Sequence, residues 1–154
     1  MKQALHKHLG PKEIAALSSP YIDVGVKQDA WEILKVDVDG AKLEARIRMT
    51  SFFVSPTDPG GFHLTIFSTQ EFLAQLANIL LHVAAGHETK THETWMRECA
   101  ISSRKVIRDP ENIRVNMEIV SLKNLGDALA GVVSCRVYDD QGGLFTARLK
   151  GLLR

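Results

Sequence analysis

What this sequence lacks narrows its reading first. It has two cysteines, Cys99 and Cys135, in 154 residues, and they form no C-x-x-C pair. That argues against a disulfide framework and a cysteine-held zinc site, and leaves two thiols expected to be reduced in a cytoplasmic protein. Excess charge is absent too, since 19 basic and 18 acidic residues leave a net charge of +1. No global field favours nucleic acid, and only local clusters remain to be weighed. The segment from Met1 to Pro11 carries positive charges without a continuous apolar stretch, so no secretory or targeting signal is read there. There is no internal repeat and no low-complexity tract. The length suits one domain over 1–154, with residues 1–20 as an N-terminal helical appendage in which Pro11 opens a short helix.

One long apolar segment is present, from Ser68 to Gly86. At about 27 Å and interrupted by polar residues, it falls short of the uniformly apolar run of ~20 residues that crosses a membrane. Ser68 followed by Glu71 reads as a capping box at its start, and Gly86 as its stop. Phe72, Leu73, Leu76, Ala77, Ile79, Leu80, Val83 and Ala84 cover most of the circumference, leaving Glu71, Gln75, Asn78 and His82 as a narrow polar stripe. A helix this apolar is expected to be buried.

The rest of the chain reads as strands. Trp31 to Val38 and Ala41 to Met49 alternate apolar and charged residues around Asp39-Gly40, a hairpin turn signal of the primed type. A change of phase between Ile33 and Leu34 predicts a bulge. Ser55 to Gly61 is a loop, His63 to Phe67 a short strand-like lead into the helix, and His87 to Thr94 a polar connection. Further strands are expected over Trp95 to Arg108, Ile113 to Leu122, Leu129 to Tyr138 and Leu144 to Leu153, with a turn at Pro110 to Asn112. One long helix segregated from antiparallel strands is the α+β solution, a sheet of five to six strands wrapped around a central helix. Its open edges predict pairing with a second copy, a homodimer whose dimers are able to pair further.

This order resembles the hotdog fold, whose members mostly act on acyl thioesters of coenzyme A or acyl carrier protein. Within it the chain is similar to FcoT-like long-chain fatty acyl-CoA thioesterases. Three stretches carry the resemblance: Phe67-Ser68-Thr69-Gln70-Glu71, the helix body from Gln75 to Leu80, and Ser102-Ser103-Arg104 with Arg108-Asp109-Pro110. It implies an acyl-CoA thioesterase with no cofactor. Two positions depart from the family's pattern: Ser68 stands where asparagine is expected, and Asn78 is displaced by one position. These departures leave open a non-catalytic acyl-thioester-binding protein. A thioester dehydratase or hydratase is the other alternative, because Pro59-Gly60-Gly61-Phe62-His63 is a scrambled form of that group's histidine loop.

Thioester hydrolysis needs an activated water or a carboxylate nucleophile, together with donors for the oxyanion. Glu71 is the candidate for the first role, with Asn78 or His63 assisting and Gln75 beside them. The amides of Ser68, Thr69 and Gln70, at the positive end of the helix, are the candidates for the second. Arg104, Lys105 and Arg108 form the densest basic cluster and are read as binding the phosphates of coenzyme A. Nucleic acid is not expected there, because stacking aromatics are missing. Five of the six phenylalanines lie between positions 52 and 72, and Phe62, Phe67, Phe72 and Leu76 are the expected lining of an acyl pocket. His87-Glu88 and His92-Glu93 fall in a polar segment without the held geometry a metal requires, so no metal is assigned.

Overall fold

The computed structural model describes residues 9–19 and 29–154. The elements run α1 (Pro11–Leu17), β1 (Ala30–Asp39), β2 (Lys42–Ser51), α2 (Ile66–Ala84), β3 (Thr94–Lys105), β4 (Ile113–Asn124), β5 (Leu129–Tyr138) and β6 (Leu144–Leu153). The six strands form one antiparallel sheet in the order β1-β2-β4-β5-β6-β3. Residues 1–8 and Pro20, which belong to the expected appendage, lie outside the described residues. All seven residues of α1 are exposed.

Strict alternation explains the inner face of the sheet. Leu43, Ala45, Ile47 and Met49 of β2 are buried while their neighbours are exposed, and Ile113, Val115 and Met117 continue the pattern on β4. Val133, Cys135 and Val137 of β5 extend the layer, as do Phe145, Ala147 and Leu149 of β6. Against this layer α2 lays Phe72, Leu73, Leu76 and Leu80, all fully buried. Burying a side chain of this size contributes roughly 1.5–3 kcal/mol, so the helix is held by its packing rather than its intrinsic propensity. The helix touches β1 and β3, the two edge strands, as well as β5 and β6. The sheet therefore curls around it, as the amphipathic patterns require.

The β1–β2 turn is displaced by one residue from the expected place. Asp39 pairs with Lys42, so Gly40 and Ala41 are the central residues, and Gly40 supplies the positive φ of 58° at the first of them. The phase change in β1 is a bulge, since Ile33 faces Ile47 while Lys35 faces Arg46, leaving Leu34 over. A second irregularity falls between Ala30 and Trp31.

Two other readings need correction. His63 to Phe67 is no strand, since residues 63–65 are irregular and Ile66 and Phe67 open α2, although Leu64 N–H donates to Ile107 O at 2.9 Å. Residues 110–112 do not turn β3 back onto β4, because β3 pairs with β6 at the far edge. The connection 106–112 instead crosses the end of the curled sheet, with its own Ile107 buried and Met49 N–H donating to Pro110 O at 2.7 Å. Local turn propensity at Pro110 could not show which strand the chain would meet next.

Candidate functional site

The start of α2 is built differently from a Ser68–Glu71 box. Thr65 is the N-cap, and its Oγ1 accepts from Ser68 N–H at 3.2 Å. Ser68 is thus the third residue of the helix, and its buried hydroxyl donates to Asp29 Oδ2 at 3.0 Å. Asp29 Oδ1 accepts from Phe53 N–H at 3.2 Å, tying the approach to β1, the segment after β2 and the helix together. Thr69 N–H donates to Thr65 O at 3.1 Å, and Gln70 lies a further residue in, where amides are spent inside the helix. The Ser68 to Gln70 amides are therefore committed to capping and helical bonds rather than left open to an oxyanion. At the other end, Gly86 at φ 79° closes the helix as anticipated, with His87 N–H donating to His82 O at 2.9 Å.

Freed from the cap, Glu71 sits one turn further along and turns outward. Its Oε2 accepts from Trp31 Nε1–H on edge strand β1 at 3.0 Å. Glu71, Gln75 and Asn78 all line one cleft of about 260 Å³, which runs between the exposed side of α2 and strands β3 and β6. Ala74, Ala77, Met96 and Leu149 supply its apolar wall. Lys90, Glu93 and Lys150 supply the charge, with Lys90 Nζ on Glu93 Oε1 at 2.5 Å and Lys150 Nζ on Glu98 Oε2 at 2.7 Å. Thr94 Oγ1 donates to Asn78 Oδ1 at 2.5 Å. That leaves the side-chain nitrogen of Asn78 as the donor end of the amide.

His82 departs from the stripe. It is 5% exposed, and its Nδ1–H donates to Asn78 O at 2.8 Å, which makes it a packed residue rather than a polar tip. His87 and His92 stack with ring centroids 4.6 Å apart, yet among the described residues no group of histidines, cysteines or carboxylates is arranged to hold a metal.

His63 does not join Glu71. It lines a small recess with Asp29, Phe53, Ser55 and Thr65, and its Nδ1 is 2.7 Å from Asp58 Oδ2. Asp58 is also gripped by Arg108, whose Nη1 reaches Oδ2 at 3.0 Å and Nη2 reaches Oδ1 at 3.1 Å. The Arg108 fork, helped by the Gly60 N–H, pulls the Asp58 carboxyl down to about 2. Arg108 Nη1 also donates to Phe62 O at 3.2 Å. With its fork committed in this way, Arg108 clamps the loop. Arg104 and Lys105 are exposed at the end of β3.

The four residues expected to line an acyl pocket are not gathered on the Glu71 cleft. Phe72 and Leu76 are at 0% exposure in the core and Phe62 is buried against Phe52 with ring centroids 4.6 Å apart, whereas Phe67 is 61% exposed. Aromatic density alone could not separate a lining from a packed core. Trp31 and Thr94 were missed because each acts from an edge strand distant in sequence.

No protein-family model matches the sequence, and no curated protein sequence matches it. Solved structures do. A mutant of the thioesterase PA1618 from Pseudomonas aeruginosa superimposes with a TM-score of 0.56 at 16% identity, over 81% of this chain and 80% of that one. The thioesterase HI1161 from Haemophilus influenzae gives 0.56 at 12% identity, over 96% and 92%. A hypothetical thioesterase from Streptococcus pneumoniae, solved with coenzyme A, gives 0.54 at 12% identity, over 80% and 88%. Together with the six-stranded antiparallel sheet around α2, these establish the hotdog fold for this chain.

Proposed function

We propose that the protein hydrolyses acyl-CoA thioesters, with Glu71 as general base or nucleophile. The observation that carries this reading is the convergence of Glu71, Gln75 and Asn78 on one cleft, in a fold shared with thioesterases. As a base, Glu71 takes a proton from water while the water oxygen attacks the thioester carbonyl carbon. The carbonyl oxygen becomes an oxyanion facing the side-chain nitrogens of Asn78 and Gln75, in place of the helix amides. Collapse then breaks the C–S bond, the departing thiolate takes the proton from Glu71, and the carboxylic acid formed releases its own proton to solvent, giving carboxylate and free thiol. The hydroxyl of Thr94 on Asn78 Oδ1 supports this orientation of the amide.

The cleft, at about 260 Å³, lies below the ~300–1,000 Å³ of sites for larger ligands, and Phe72 and Leu76 close the route into the core. This favours a short acyl group over the long chains of FcoT-like enzymes. Coenzyme A rather than a carrier protein is the proposed thiol, with Arg104 and Lys105 as the cations for its phosphates. Dehydratase chemistry is disfavoured, since His63 is held by Asp58 in a separate recess.

A second copy is the proposed cover for the β3 edge and for Phe67 and Val83, which stand exposed on the same helix as Glu71. Sedimentation equilibrium should return twice the chain mass.

Thiol release from a series of acyl-CoAs, short to long, tests the function beside Glu71→Gln. Turnover that peaks at short chains and is lost in the variant supports it. No release, with acyl-CoA still raising the melting temperature, would transfer the protein to the non-catalytic binding class.

A further inference from the structure

From the Trp31–Glu71 contact we infer that Trp31 is a positioning residue for Glu71: its indole N–H holds and orients the carboxylate in the charged form. The inference rests on the proposed role of Glu71. Its geometry stands on independent features of β1. Trp31 lies on the inner face of the edge strand, directly across from buried Met49. Its ring meets Phe72 edge-on, with centroids 6.0 Å apart and planes at 80°. Phe72 is completely buried, so the indole is braced by the core at one side and presents its polar edge to the helix. The register shift between Ala30 and Trp31 is the kind of irregularity that re-aims a side chain at a sheet edge.

The chemistry of the contact has one direction. Indole Nε1–H only donates, so it bonds better to a carboxylate than to an amide or a protonated acid. A donor to the charged form favours that form. The same bond costs Glu71 rotamer freedom before substrate arrives, and restraint of this sort is what orientation contributes to catalysis. Among the described residues the lysines that line the cleft pair with other carboxylates, Lys90 with Glu93 and Lys150 with Glu98. Trp31 is a neutral donor, so its bond restrains the acid without bringing a charge of its own to it.

Trp31→Phe keeps an aromatic ring against Phe72 and deletes the N–H. The acid limb of kcat/KM should move to higher pH, and kcat should fall about tenfold with KM little changed. The second readout needs no turnover. Trp31 and Trp95 are the only tryptophans, so Trp95→Phe assigns the two indole N–H resonances in a proton–nitrogen spectrum. The Trp31 resonance should titrate through the carboxylate range in the parent protein and become flat in Glu71→Gln. A Trp31 resonance indifferent to pH, or a Trp31→Phe profile superimposable on the parent, overturns the inference. Full turnover in Glu71→Gln would instead remove the proposed role of Glu71, and the positioning inference with it, even where the indole titrates.

Discussion

The guanidinium of Arg108 meets the carboxylate of Asp58 as a two-pronged fork, Nη1 to Oδ2 at 3.0 Å and Nη2 to Oδ1 at 3.1 Å. This fork closes the loop before α2 onto the crossing segment that carries the chain to β4. Asp58 sits at about 2, below its ordinary value of about 3.8, so its contribution to stability is present above that ordinary value. As pH falls from about 4 to about 2 that contribution is lost. Thermal melts over this window should show the parent protein losing stability more steeply than Asp58→Asn, which starts lower because it cannot charge. Parallel curves would show that the fork is mechanically idle.

Gly143 gives a test of close packing. A Cβ there would lie 2.6 Å from Ile107 Cα and 2.7 Å from Val106 O, both backbone atoms that cannot swing aside. Gly143→Ala should cost about 1–3 kcal/mol in urea denaturation. Gly151→Ala is the matched control, since its nearest neighbour would be at 3.5 Å, an ordinary contact. It should stay within about 0.5 kcal/mol of the parent.

How much of this was legible in the sequence depended on the range of the interactions. The strands β5 and β6 and the curled sheet around α2 follow from local alternation and from one strongly apolar helix, so they could be read directly. The Glu71, Gln75 and Asn78 stripe could be read for the same reason, because helical spacing is local. The cap could not. Thr65 and Ser68 both fit N-terminal chemistry, and the choice was made by Asp29, which draws the Ser68 hydroxyl from 39 positions away. Arg108 failed similarly: a basic cluster in sequence became a clamp because Asp58 lies opposite it, 50 positions earlier. Asp139 could be read as a residue of the turn between β5 and β6, but not as the acceptor for the crossing segment. Burial would raise its carboxyl, but the N–H groups of Arg108, Gly143, Asp109 and Gln141 outweigh that and hold it low. Its meaning exists only once the crossing segment and the β5–β6 turn have met.

The two thiols should be slow. Burial pushes Cys135 up to about 12, with a further contribution from nearby Cys99, and burial raises Cys99 as well. At pH 8 little thiolate is available at either position. Ellman's reagent should label neither cysteine rapidly in the native protein and both in denaturant. Fast labelling of Cys135 without denaturant would mean that the core beneath β5 opens far more readily than its packing implies.

The Thr94 hydroxyl donates to Asn78 Oδ1 at 2.5 Å, from an edge strand to the middle of the helix, and the proposed oxyanion site depends on that orientation. Thr94→Val keeps the branched shape and removes the donor. The amide of Asn78 is then at liberty to rotate, and its nitrogen no longer faces the cleft in every molecule. Loss of one neutral hydrogen bond is worth about 0.5–1.5 kcal/mol, which predicts a fall in kcat of about two- to tenfold. Asn78→Ala should lose at least as much. Because the hydroxyl acts only through the amide, the double variant should be no slower than Asn78→Ala alone, a coupling that a kinetic double-mutant cycle measures. Additive losses would place Thr94 in direct contact with substrate and separate the two residues.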